Sequence, residues 1–246
     1  MLHGGPGAPG SMQEPAGMLS SKTGILEPLL THPSITGQTT GLYEIIREHC
    51  HPPVILVGHS WGAWLAFLFA ANHPALAKKL ILIGAGSFEP QYNANLMKIR
   101  SDRLSEKEND EATILSALVN QCIASDSDFR RFGELMSKAD SYDCDAMEKN
   151  ALKFYPEVYH AVWKEAEKIR KRGELLSAGG KITCPVVAIH GMDDPHPSEG
   201  VEEPLRKVLH DFRFIALEKC GHYPWREQHA KVPFYEILGK ELGIVE

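Results

Sequence analysis

A chain of 246 residues, 43% hydrophobic and 24% charged, has enough apolar material for one packed domain with a small insert and is too apolar to stay disordered. The formal net charge of −6 and the lack of a strongly basic patch argue against nucleic acid as a partner. No apolar run approaches the roughly 18 residues of a membrane span.

The chain opens on "HGGPG" (3–7), a glycine-rich loop. The stretch "MLHGGPGAPGSMQEP" has no basic region followed by an apolar one, so it does not read as a secretory signal. Cys50, Cys122, Cys144, Cys184 and Cys220 are scattered without a C-x-x-C pair, which predicts reduced thiols and a cytoplasmic location. "GILEPLL" (24–30) is a short strand candidate. "SITGQTTGLYEIIREHC" (34–50) predicts a capped helix with Leu42, Ile45 and Ile46 on one face. "PPVILVGH" (52–59) is a continuous apolar run of the kind buried on both faces of a parallel sheet. A helix follows to about His73, and "AKKLILIGAG" (77–86) predicts a second buried strand.

From Phe88 to Gly180 the texture is charged and helical with no strand-like run. Strands return at "PVVAIHG" (185–191) and "FRFIAL" (212–217), and a final helix covers 228–243, with a bend expected near Pro233. The expected organisation is a core of residues 1–87 and 181–246 and a helical cap of residues 88–180. The sheet is expected to be mostly parallel with helices on both faces. The cap aromatics Phe88, Tyr92, Phe129, Phe132, Tyr155 and Trp163 are expected mainly to pack helices.

Gly58-His59-Ser60-Trp61-Gly62 places a serine where a buried strand turns into an apolar helix. Such a corner points a hydroxyl outward at the strand's carboxyl end, beside the free N–H groups of a helix start. The competing role is an ordinary N-cap. A nucleophilic serine needs a base, a group to orient it and donors for an oxyanion. His222, in "KCGHYPWRE" directly after the last strand, is the base candidate. His49, His51, His73, His210 and His229 sit in helical or loop surroundings that suit structural roles. Asp193 and Asp194, in "AIHGMDDPHP", are the acid candidates; one is expected to hold the imidazole and the other to make a cap or Asx turn before Pro195. The N–H groups of Trp61 and Gly5 are the expected oxyanion donors. Among His49, Cys50, His51, Cys220 and His222 no standard zinc spacing occurs, and nothing indicates an organic cofactor.

Taken together, "HGGPG", "GHSWG", "HGMDDPHP" and "CGHYPW", in the order Ser, Asp, His, resemble the α/β-hydrolase family over nearly the whole chain. The resemblance implies Ser60 as nucleophile, Asp194 rather than Asp193 as acid, His222 as base, and Gly5 and Trp61 as oxyanion donors. In that family "HGGPG" follows a central strand, and only Met1 and Leu2 precede it here. The first strands are therefore expected to be lacking, with low stability or self-association through an exposed sheet edge as the consequence. The expected activity is hydrolysis of an ester, thioester or amide bond in a small molecule. "HGGPG" with "SWG" also looks like the proline-iminopeptidase branch, so an aminopeptidase is an alternative. A non-catalytic relative acting as an interaction protein is the other.

Overall fold

The computed structural model describes residues 1–144 and 154–244. Residues 145–153, part of the expected cap, lie outside the described residues. The elements run α1 (Gln13–Ser20), α2 (Ile35–His49), β1 (Val54–His59), α3 (Trp61–Asn72), β2 (Ala77–Ile83), α4 (Leu96–Asp102), α5 (Glu106–Asn120), α6 (Asp126–Asp140), α7 (Pro156–Lys171), α8 (Glu174–Ser177), β3 (Val186–Gly191), α9 (Glu199–Val208), β4 (Phe212–Leu217) and α10 (Lys231–Leu242).

The described residues form a four-stranded sheet in the order β1-β2-β3-β4, and each neighbouring pair is parallel. Side chains alternate across a strand, and the two cores divide accordingly. Leu56, Leu80, Leu82, Val186 and Ala188 face one core, which α2, α3, α7 and α9 cover. Val57, Ile81, Ile83, Val187 and Ile189 face the other, closed by Met12 and Leu19 near α1 and by Phe234 and Leu238 of α10. Apolar faces on both sides explain why the central strands read as continuous hydrophobic runs.

Two expectations need correction, and one helix was not expected. Residues 24–30 carry no strand: Pro28 lacks the N–H that a ladder needs, and the apolar residues do not alternate. α1 falls in a stretch to which the sequence assigns no element. Pro15 is tolerated there because it sits in the helix's first turn, and it and Leu19 are buried. α10 starts at Lys231 rather than at 228, so Pro233 occupies the first turn, where its missing N–H costs no intrahelical hydrogen bond. The outer edge of β1 is partly covered. Leu2 forms a parallel bridge with Gly58; its N–H donates to Val57 O at 2.7 Å, and its carbonyl accepts from His59 N at 3.1 Å.

Helices α4 to α7 lie between β2 and β3, as the charged middle of the sequence predicts. Ser105 and Ser125 start α5 and α6 with capping boxes, which split the charged segment into short helices. α5 and α6 share a small core of their own, including Leu115, Leu135 and Ala139. No helix of the described residues is long and apolar enough to cross a membrane.

Candidate active site

Every strand ends on the same side, and Ser60, Asp194 and His222 follow the carboxyl ends of β1, β3 and β4. Ser60 takes φ 53° and ψ −116°, in a region that costs a non-glycine residue about 1–3 kcal/mol. It occupies the N-cap position of α3, but its side chain makes no capping hydrogen bond. The hydroxyl is therefore not used as an ordinary cap. The flanking glycines are required by contact: a Cβ on Gly58 would lie 2.2 Å from Gly62 O, and one on Gly62 would lie 2.3 Å from Leu2 O. The corner is held by Ser60 N donating to Ile83 O at 2.9 Å.

Asp194 and His222 meet directly. Imidazole Nδ1 of His222 donates to Asp194 Oδ2 at 2.7 Å, and both residues are buried. The second carboxylate oxygen accepts from His196 N and His196 Nδ1, both at 2.9 Å. One aspartate thus holds the imidazole and closes the Asx turn, where the sequence suggested a division between Asp193 and Asp194. Asp193 contributes its backbone, its N–H donating to Cys220 O at 2.8 Å. Burial pushes the Asp194 carboxyl up, but His222 and His196 outweigh it and hold the group well below the usual carboxylate range. Burial pushes His222 down, and the charge and hydrogen bond of Asp194 reverse this, leaving it raised above 6.5.

His59 lies beside His222. Its Nε2 donates to His222 O at 3.0 Å, and the ring centroids are 4.7 Å apart. Burial, reinforced by the nearby His222, pushes its pKa well below 6.5, so this imidazole is neutral and serves as a prop. Ser60 and His222 line one large cavity together with Gly4, Gly5, Trp61 and His196. The Ser60 hydroxyl itself makes no hydrogen bond among the described residues. Of the three groups expected in a row, the carboxylate and imidazole touch, and the hydroxyl faces the same space. A Cβ on Gly4 would lie 3.3 Å from Ser60 Cβ, and Gly5 (φ +54°) is the next residue. Its N–H donates to no described residue, and Trp61 N–H, at the start of α3, has no partner within the helix. The donor atoms of Asp194, His196 and His222 lie within 4.8 Å of one another. Both imidazole Nδ1 atoms are already spent on the carboxylate, so this set reads as a hydrogen-bonded relay. Of the cap aromatics, Phe129, Phe132 and Trp163 line the cavity, whereas Phe88 is in the core and Tyr155 packs against it. Tyr92 donates to Glu203.

Sequence reasoning missed the groups that hold the His222 loop. Glu227, fully buried, accepts from Gly221 N and Tyr142 N at 3.0 Å and from Asp143 N at 2.7 Å. Asp140 O accepts from His222 N at 2.8 Å, and the Asp140 carboxylate forms a two-pronged pair with Arg100 at 2.6 and 2.7 Å. Arg103 ties the Asp193 and Ala139 carbonyls together. Helix ends and loops with these contacts have no periodic signature; His196 alone was accessible, as the histidine of "DDPHP". Glu227→Ala strands buried N–H donors that cost about 1–3 kcal/mol each. It is expected to lower the unfolding free energy by about 3 kcal/mol or more, measured by urea denaturation; a loss under about 0.5 kcal/mol would show that these bonds contribute nothing.

The model of the Alpha/beta hydrolase family matches residues 16–232, which contain Ser60, Asp194 and His222 but not Gly5. The chain belongs to the alpha/beta hydrolase family. Among solved structures it is similar to VinJ, at 17% identity and a TM-score of 0.65, covering 100% of this chain and 90% of that one. It is similar to a putative lipase from Acinetobacter baumannii AYE, at 18% identity and a TM-score of 0.66, covering 99% and 82%. It is also similar to a proline iminopeptidase from Mycobacterium smegmatis, at 12% identity and a TM-score of 0.63, covering 98% and 88%. These likenesses concern the fold. No curated protein sequence matches.

Proposed function

We propose that this chain is a serine hydrolase that cleaves an ester, thioester or amide bond of a small molecule through an acyl-enzyme. The observation that carries the reading is the buried 2.7 Å bond from His222 to Asp194, which leaves Nε2 of the neutral imidazole free to accept a proton on the cavity that Ser60 lines. In the attack the Ser60 Oγ has to reach that nitrogen across the cavity both residues line. Apo hydroxyl–imidazole contacts are commonly long and tighten only with substrate.

In the attack, Ser60 Oγ bonds to the substrate carbonyl carbon while His222 Nε2 takes its proton. The N–H groups of Gly5 and Trp61 stabilise the tetrahedral oxyanion. His222 then protonates the departing group, and a water activated by the same imidazole releases the acyl chain. Asp194 stabilises the imidazolium, and residues 88–180 act as the cap over the site. Unbridged Cys50, Cys122, Cys184 and Cys220 support a reducing compartment. The outer strand edges beyond Leu2 are the surfaces for any pairing of copies.

A fluorophosphonate probe labels the folded protein at Ser60 on this reading. Folded protein that resists the probe would leave the interaction-protein alternative in its place. The pH profile carries a signed expectation. Catalysis needs neutral His222, whose pKa lies above 6.5, so kcat/KM falls as the pH drops, with a midpoint above 6.5. A profile flat from about pH 5 to 8 excludes histidine as the base. Aminoacyl-naphthylamides, proline included, tested beside simple acyl esters separate the iminopeptidase alternative.

A further inference from the structure

We propose that Arg170 forms a carboxylate-binding subsite in the cavity, so that the acyl chain cleaved at Ser60 ends in a carboxylate. This rests on the serine-hydrolase reading above. Along α7, His160, Trp163, Lys164, Glu167 and Arg170 line the cavity, and their spacing of three to four residues puts them on one helix face. The other half-buried guanidiniums of the cavity are engaged. Arg100 grips Asp140, Arg103 donates to backbone carbonyls, and Arg226 pairs with Glu14. Arg170 forms no ion pair and no side-chain hydrogen bond among the described residues. Its Nε is buried without a partner.

The guanidinium carbon stands 5.4 Å from the centroid of the Trp64 ring. A cation held over an indole face keeps its Nη groups free. Glu167 is the acid nearest in charge influence, but it is exposed and reaches Lys171 at 3.5 Å. A desolvated cation with open donors is costly until an anion fills them. Nε is buried, so the two Nη groups are the donors that can face a carboxylate's two oxygens.

The path from Ser60 is apolar. Trp64 is four residues beyond Ser60, a rise of about 6 Å along α3. Trp61 and Trp64 both make edge contacts with Trp163, centroids 6.1 and 5.9 Å apart, and the three indoles line the cavity. A carbonyl at Ser60, a short apolar spacer over the indoles and a terminal carboxylate at Arg170 describe a half-ester or half-amide of a dicarboxylic acid. The hydrolysis balances as for any acyl transfer: water supplies OH to the acyl carbon and H to the leaving group, and the product is the free diacid.

Binding is tested without turnover in the Ser60→Ala protein, by calorimetry with monomethyl adipate, dimethyl adipate and inorganic phosphate. The monoanion is expected to bind about tenfold more tightly than the diester, or better. Arg170→Gln in the same background removes the difference, and Arg170→Lys restores only part of it. With the active protein, the ratio of kcat/KM for mono-4-nitrophenyl adipate over 4-nitrophenyl hexanoate is expected to drop about tenfold or more in Arg170→Gln. Equal affinity for the monoester and diester, a ratio unmoved by Arg170→Gln, or phosphate binding as tightly as the monoester overturns the proposal. A surviving monoanion preference in a protein that neither turns over ester nor takes the fluorophosphonate would instead sink the serine reading alone.

Discussion

Ser60→Ala is expected to lower kcat on a 4-nitrophenyl ester by about 10⁴ to 10⁶-fold, with the fold and stability retained. The substitution removes only an oxygen that makes no capping bond, so nothing structural depends on it. All the chemistry assigned to the corner depends on it, because no other hydroxyl occupies the strained position after β1. The oxyanion donors are main-chain groups and stay in place, so a residual rate above water is expected. A steady-state assay of the two proteins, with circular dichroism to show equal folding, decides the matter. Parent-like turnover in the alanine variant would falsify the nucleophile assignment.

Asp194→Asn is expected to cost about 10⁴-fold in kcat near neutral pH. The loss has a different origin. The asparagine amide can present an N–H to His222 Nδ1, which favours the tautomer with its proton on Nε2, where the base must be empty. Loss of the carboxylate charge also removes what lifts the His222 pKa against its burial. The midpoint of the pH–rate profile should therefore move downward, whereas a merely destabilised protein would lose amplitude at an unchanged midpoint. Asp193→Asn serves as the contrast: Asp193 contributes its carbonyl and N–H, and near-parent rates are expected. Similar losses in both variants would refute the choice of Asp194.

Periodic and local features were legible in the sequence. Continuous apolar runs located β1 to β3, and a serine at a strand-to-helix corner with a glycine on each side located the elbow. Both follow from short-range sterics, since Gly58 and Gly62 have backbone atoms where a Cβ would sit. The order Ser, Asp, His gave the three elements whose loops converge, because strands of a parallel sheet end on one side. What remained hidden depends on distant contacts. Glu227 looked like one charged residue among many; only the fold brings Gly221, Tyr142 and Asp143 to it. Residues 24–30 are apolar without an alternating pattern, so their content suggests a strand that their spacing does not support. Arg170 was invisible for the same reason as Glu227: its meaning lies in the partner it lacks.

The contacts of Asp140 and Glu227 with the His222 loop tie the end of α6 and the imidazole into one mechanical unit. Any swing of α6 away from the sheet drags on the imidazole, so on the proposed mechanism opening and proton transfer cannot be tuned separately. Transplanting a cap from a relative would therefore have to carry residues 139–144 and the loop around Glu227 together, or the graft would alter the chemistry along with the specificity.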